Sequence, residues 1–240
     1  MAQPWITIET VPTDEGPLEL RRRGERDFLI TLDGLVLMNS LNNRSEVALG
    51  QLGCRHLQDN PSPQVLVGGL GMGCTLRAVL DALPASARVV VAELNPVVLR
   101  WCRGPLASLT DRAVDDPRVT VEIADVAEFV RRRSRTGDAA KFDAVIYDLY
   151  KGPHHHTDKL NDPLYGSRAI AQVRSVLNPG GVFAVWGENH DEGFVRRLRS
   201  AGFSVSSERP GRGGYRHAVF VAEMSGSRRR PASGGRGRGK

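Results

Sequence analysis

Residues 68–73, Gly-Gly-Leu-Gly-Met-Gly, stand between the apolar run Val65-Leu66-Val67 and a helical pattern. A buried strand, a glycine turn and a helix in that order form the opening of a βαβ unit. Glycines at 69, 71 and 73 let the backbone turn sharply and approach a ligand closely, and the helix that follows offers unpaired N–H groups. The next apolar run, Val89-Val90-Val91-Ala92, ends in Glu93. An acid at the tip of the second strand is placed to accept hydrogen bonds from ribose hydroxyls. Gly69, Gly71, Gly73 and Glu93 are therefore candidate nucleoside-binding residues.

The rest of the chain repeats this alternation. The section up to about Met38 reads as short strands, among them 28–32 and 35–38 joined by a turn at Asp33-Gly34, and a helix is predicted over 45–57. Strands at 65–67, 88–93, 118–123, 142–147 and 181–186 alternate with helices at 75–83, 96–106, 126–133 and 167–177. A last helix at 192–201 precedes two strands, 203–208 and 217–222. Such units give a parallel sheet with helices on both faces. The closing pair has no helix between its strands, so one of them is expected to run antiparallel. The expected division is an N-terminal β-hairpin region (1–40), a nucleoside-binding transferase domain (41–224) and a basic segment (225–240).

A chain of 240 residues can bury one good core. No apolar run approaches the roughly 18 residues a membrane span needs, and residues 1–5 lack the basic start and apolar stretch of a signal peptide. Cys54, Cys74 and Cys102 show no CxxC spacing and are expected to be reduced thiols in a cytoplasmic protein. The net charge of +6 is localised. Six basic residues lie between 228 and 240, and without them 27 basic residues face 27 acidic ones. This Gly/Arg/Ser/Pro segment cannot bury apolar surface and is expected to be disordered, with weak polyanion binding as its possible activity.

Two ligand classes suit a glycine loop followed by a ribose acid: dinucleotides and sulfonium nucleosides of the S-adenosylmethionine type. Asp125 follows the third strand of the unit, where a side chain can meet an adenine edge or cap the next helix. Asn178-Pro179-Gly180-Gly181 is a turn that many methyltransferase-fold proteins carry before the fifth strand. Little sequence is left for a separate substrate domain. These features favour an α/β, Rossmann-like class I S-adenosylmethionine methyltransferase fold with a small N-terminal β-hairpin domain.

As an ordered set, several further motifs make the chain similar to the polyamine aminopropyltransferases, spermidine synthase and its bacterial relatives. They are Leu32-Asp33-Gly34, Thr75-Leu76-Arg77, Asp115-Asp116-Pro117-Arg118-Val119, residues 141–148 (Lys-Phe-Asp-Ala-Val-Ile-Tyr-Asp), Leu164-Tyr165 and Asn178-Pro179-Gly180-Gly181. The resemblance spans roughly 29–222. It implies an aminopropyl donor, decarboxylated S-adenosylmethionine, an amine acceptor, and a homo-oligomer such as a dimer. It also brings in Glu46 as a candidate substrate-binding residue. Against the family pattern, Met72 stands where the loop usually has an aspartate, and Leu37 replaces a glutamine. Ser45 replaces a tyrosine before the retained Glu46, and Lys151 replaces the second of two aspartates after the fourth strand. A polyamine is a string of ammonium groups, so these losses point away from putrescine as acceptor.

Asp148, at the carboxyl end of a central strand, is the catalytic candidate, able to orient or deprotonate an attacking amine. Tyr150 is a candidate for the acceptor pocket. Trp186 and His190 are placed to wall the same cleft or to pack in the core. The run His154-His155-His156 lacks the spacing of a metal site, and no metal is expected. Residues 152–162 could instead form a lid or a solvated loop. Two other functions stay open: methyl transfer from S-adenosylmethionine, and a non-catalytic nucleoside- or RNA-binding protein.

Overall fold

A computed structural model describes residues 3–136, 141–154, 157, 160–210 and 217–225. The basic segment expected at 225–240 therefore lies, from 226 on, outside the described residues. Two sheets make up the fold. The first is antiparallel, in the order β1 (Ile6–Thr13), β2 (Gly16–Arg23), β3 (Asp27–Leu32), β4 (Leu35–Asn39). The expected hairpin at 28–38 is thus the second half of a four-stranded meander. The bounds of strands β1 and β2 escape a hydrophobicity reading because they carry two prolines and five arginines or glutamates between their few apolar residues. Leu18 and Leu20 of β2 nevertheless pack with Phe28 and Ile30 into the main core.

The second sheet has seven strands. Helix α1 (Arg44–Cys54) leads into β5 (Gln64–Gly68), α2 (Cys74–Ala82), β6 (Arg88–Glu93), α3 (Pro96–Arg103), β7 (Val119–Ile123), α4 (Val126–Arg135) and β8 (Phe142–Tyr147). Then come α5 (Ser167–Val176), β9 (Leu177–Gly187), α6 (Glu192–Ser200), β10 (Phe203–Glu208) and β11 (Ala218–Met224). The spatial order is β10-β11-β9-β8-β5-β6-β7, and β11 runs antiparallel between β10 and β9. The strands β5, β6, β7, β8 and β9 pair in parallel.

Alternation along the central strands divides the core in two. Val65, Val67, Ala144 and Ile146 meet residues of α1, α2 and α3 on one face. Leu66, Val145, Tyr147 and Phe183 meet α4, α5 and α6 on the other. Helix α1 ends three residues earlier than its apolar spacing suggests, yet the turn that follows still buries Leu57. The Asn178-Pro179-Gly180-Gly181 turn is not a separate loop: it forms an irregular stretch inside β9, where the register jumps from Leu177 to Val182. Asp143 pins it, accepting from the Asn178 side-chain amide at 2.8 Å and from Gln64 N–H at 2.8 Å.

The N-terminal sheet is fastened to the larger one. Glu9 accepts a hydrogen bond at 2.7 Å from the indole N–H of buried Trp101 on α3 and also pairs with Arg100. Met38 of β4 lies against Gly71 in the glycine loop. The sheet therefore covers one side of the crevice described next.

Candidate active site

The chain runs outward from β5 through β6 to β7, then returns to β8 on the other side of β5. In an open α/β sheet such a reversal leaves a crevice beyond the carboxyl ends of the strands. Gly69, Asp125 and Asp148 follow β5, β7 and β8 at this edge, and Glu93 is the last residue of β6.

The loop after β5 holds three glycines in left-handed conformations, with φ of +86° at Gly69, +51° at Gly71 and +82° at Gly73. Gly69 is the most constrained of them. Its N–H donates to the Ala92 carbonyl at 2.9 Å, while Asp148 N–H donates to the Gly68 carbonyl at 2.9 Å. An added Cβ at Gly69 would overlap the Asp148 carbonyl oxygen. Gly73 ends the loop at the N-terminus of α2, which has no side-chain cap. Together, a bare backbone and an uncapped helix start make a cradle suited to a nucleoside.

Glu93 is only 6% exposed. One carboxylate oxygen accepts from Leu70 N–H at 2.9 Å and the other from Asn95 N–H at 2.8 Å. Burial raises its pKa, and these backbone bonds oppose the rise. The N–H groups of Gly71 and Leu94 bear on the same carboxylate, which thereby braces the loop at the edge of the crevice. Asp125 is exposed, and its Oδ1 accepts from Glu128 N–H at 2.9 Å as the N-cap of α4. The cap uses Oδ1 alone.

Asp148 lies at the floor of the crevice, with some solvent contact but protein on every side. Burial, then the charge of Glu46, push its carboxyl up to about 7, and a 2.6 Å contact with the Thr75 hydroxyl opposes the rise. The Thr75 hydroxyl also lies 3.1 Å from the Glu46 carbonyl. Glu46 and Asp148 are thus brought together by the first turns of α1 and α2. Ser45, 5% exposed, links Glu46 to the far end of the sheet: its hydroxyl is 2.6 Å from Glu46 Oε2 and 3.0 Å from His217 Nδ1. His217, which no sequence pattern singles out, packs edge-on against Trp186 with ring centroids 4.8 Å apart.

Other expected site residues are engaged elsewhere. Tyr150 is 43% exposed, and its hydroxyl donates at 2.5 Å to Glu15 in the β1–β2 turn. Lys151 pairs with the same carboxylate at 2.9 Å. The pair ties the β8 loop to the N-terminal sheet. His190 contacts Glu192 and Ser207 on the α6–β10 side. His154 forms a turn closed by Thr157; of the expected lid at 152–162, His155, His156 and residues 158–159 lie outside the described residues. Among the described residues no group of three or more His, Cys, Asp or Glu side chains is placed to hold a metal. The three cysteines are free and buried.

Residues 52–192 match the family model described as the spermine/spermidine synthase domain. The chain belongs to the spermine/spermidine synthase family. Polyamine aminopropyltransferase 1 of Hyperthermus butylicus is 36% identical over 126 residues, covering 51% of this chain and 40% of that protein. Polyamine aminopropyltransferase 2 of Pseudomonas aeruginosa is 32% identical over 162 residues, covering 63% of this chain and 42% of that protein. The matches span about two-fifths of the length of these curated relatives. The Thermotoga maritima spermidine synthase structure superimposes with a TM-score of 0.72 at 23% identity, covering 91% of this chain and 73% of that one. A spermidine synthase bound to the transition-state analogue AdoDATO gives a TM-score of 0.71 at 22% identity, covering 91% and 72%. The fold is therefore that of spermidine synthase structures, as the strand order already indicates.

Within this family, two replacements acquire a structural meaning. Met72 is 1% exposed and packs in the core beneath the loop, so it contributes apolar volume where an acid was expected. Lys151 has its ammonium on Glu15.

Proposed function

We propose that this protein transfers an aminopropyl group from decarboxylated S-adenosylmethionine to an amine acceptor other than putrescine. The observation that carries the reading is the Asp148 carboxyl, 2.6 Å from the Thr75 hydroxyl at the switch point, beside a bare glycine loop whose other flank is braced by Glu93. Gly69, Gly71 and Gly73 would cradle the nucleoside, and Glu93 would accept its ribose hydroxyls. Asp125 would offer its free Oδ2 to the adenine edge. Asp148 would take the proton from the amine as the nitrogen bonds to the carbon beside the sulfonium. The carbon–sulfur bond breaks with its electron pair going to sulfur, which leaves as the thioether methylthioadenosine. A base with pKa near the working pH suits that transfer, and positioning does most of the remaining work.

Calorimetry with methylthioadenosine and S-adenosylhomocysteine tests the reading, and tighter binding of methylthioadenosine is the expected result. Preference for S-adenosylhomocysteine would favour the second reading, methyl transfer, which the replacement of the loop acid by Met72 supports. Glu93→Ala is expected to weaken methylthioadenosine binding by about 1–3 kcal/mol, the scale of a lost hydrogen-bonded carboxylate. Unchanged affinity in the folded variant would remove Glu93 from the ribose.

The proposal extends to organisation. Residues 1–40 would form an N-terminal unit and 41–224 the transferase domain. A dimer would use the apolar surface of the first sheet, where Ile6, Leu35 and Val36 are each more than half exposed. No helix among the described residues is long and apolar enough to cross a membrane; this and three reduced cysteines support a cytoplasmic setting. The basic residues from 228 on would add weak, salt-sensitive polyanion binding.

A further inference from the structure

On the face that packs α1 and α2, the ends of β5, β8, β9 and β11 lie side by side. Alternate residues Val65 and Val67, Ala144 and Ile146, Val182 and Ala184, and Val219 and Val221 all enter that core. The next alternate positions are Gly69, Asp148, Trp186 and His217, so these four form a row across the sheet edge. The first turn of α1 lies over the row through Ser45 and Glu46.

Charge along the row is uneven. Asp148 and Glu46 are close enough for one to raise the other, and the influences on Asp148 are burial, Glu46 and the Thr75 hydroxyl, with no cation among them. A cation from a ligand placed beside this pair favours the charged form of Asp148. Beyond them the row carries no carboxylate. Trp186 Nε1 is buried without a hydrogen-bond partner among the described residues, and His217 follows it. On the other flank, position 151 supplies an ammonium already bound to Glu15.

Ser45 has one proton to give. Its contacts are satisfied together when the hydroxyl donates to the Glu46 carboxylate and accepts from His217 Nδ1–H. His217 then holds Ser45, and Ser45 holds Glu46 toward Asp148. Resting on the aminopropyl-transfer reading, we propose that His217 is a positioning residue for the acceptor: it sets Glu46 beside Asp148, and this pair recognises one ammonium only. The acceptor class is then a primary amine whose remainder carries no second cation near the site. A second ammonium would reach Trp186 and His217, neither of which carries a negative charge to balance it.

The test uses the full chain saturated with methylthioadenosine, titrated calorimetrically with n-butylamine and with putrescine. The expected result is n-butylamine binding at least as tight as putrescine. His217→Ala and Ser45→Ala should each weaken n-butylamine about tenfold while leaving methylthioadenosine affinity unchanged, which also reports an intact fold. His217→Asn, whose amide can donate from nearly the same place as Nδ1–H, should restore most of the loss. Putrescine binding tenfold tighter than n-butylamine would overturn the single-ammonium site. Unchanged n-butylamine affinity in both alanine variants would overturn the positioning role, as would a His217→Asn variant no better than alanine, since the effect would then be packing against Trp186. If methylthioadenosine itself fails to bind, the aminopropyl-transfer reading falls and the inference falls with it. Failure of the amine arms alone leaves that reading standing.

Discussion

Asp148→Asn is expected to abolish transfer and, above neutral pH, to make the protein more stable. The two effects have one origin. Burial and the charge of Glu46 hold the Asp148 carboxyl at about 7 in the folded chain, while in an unfolded chain an aspartate titrates near about 3.9. Between those values the folded state binds more protons than the unfolded state, so stability falls as pH rises through the window. Below the unfolded value Asp148 is protonated in both states and costs nothing. Above about 7 it is charged in both, and the full cost is present. Asparagine keeps an acceptor for Thr75 and cannot ionise. Denaturant melts should therefore give nearly equal stability for the two proteins at pH 4, and an advantage for the variant of about 1–3 kcal/mol at pH 8. Methylthioadenosine release with a productive amine should fall by about 10²–10⁴, the range for loss of a general base. An equal loss of stability at both pH values would mean that Asp148 serves the fold and has no titrating role.

The same residue shows how much of the site was legible in the sequence. Asp148, Glu93 and the three loop glycines each follow an apolar run whose length and β-branched content mark a strand, and a strand end at the sheet edge is a place that local sequence can specify. Side-chain partners are not specified that way. Ser45 and His217 touch across 172 positions of sequence, and Tyr150 reaches Glu15 across 135. No periodicity encodes either contact. Asp125 reads equally as ligand or cap, because a residue between a strand and a helix satisfies both descriptions; Oδ1 on Glu128 N–H shows the cap, with Oδ2 outside that bond. In the fold, the bounds of β1 and β2 are obscured for a related reason. Ile6 and Ile8 of β1 are exposed while Glu9 is partly buried, and neither strand alternates cleanly enough to stand out. The irregular turn inside β9 was read as a loop because Pro179, Gly180 and Gly181 signal one, whereas Asp143 holds them against β8.

Glycine substitutions separate two physical causes that the loop combines, and Gly69→Ala is expected to be the most damaging of them. Left-handed φ costs a residue with a Cβ roughly 1–2 kcal/mol. Gly34, in the β3–β4 turn, has φ of +76° and nothing within 4 Å of an added Cβ, so Gly34→Ala should cost about that amount and no more. Gly71 has φ of +51°, and its Cβ would meet the terminal sulfur and methyl of Met38. A methionine side chain is flexible and can withdraw, so Gly71→Ala should cost little beyond the strain, though a bulkier valine there should also block ligand approach. Gly69 adds a collision with main chain. Its Cβ would overlap the Asp148 carbonyl oxygen, which belongs to the backbone leaving β8. Relief requires β5 and β8 to part at their carboxyl ends, breaking the bond from Asp148 N–H to the Gly68 carbonyl and displacing the catalytic candidate itself. Gly69→Ala should therefore lose about 3 kcal/mol or more of stability and, where it folds, lose methylthioadenosine binding as well. Melts of the three alanine variants should rank Gly69 as far the worst, then Gly71, then Gly34. Equal losses at Gly69 and Gly34 would show that conformation alone makes these positions glycine, and that close approach of the strands contributes nothing.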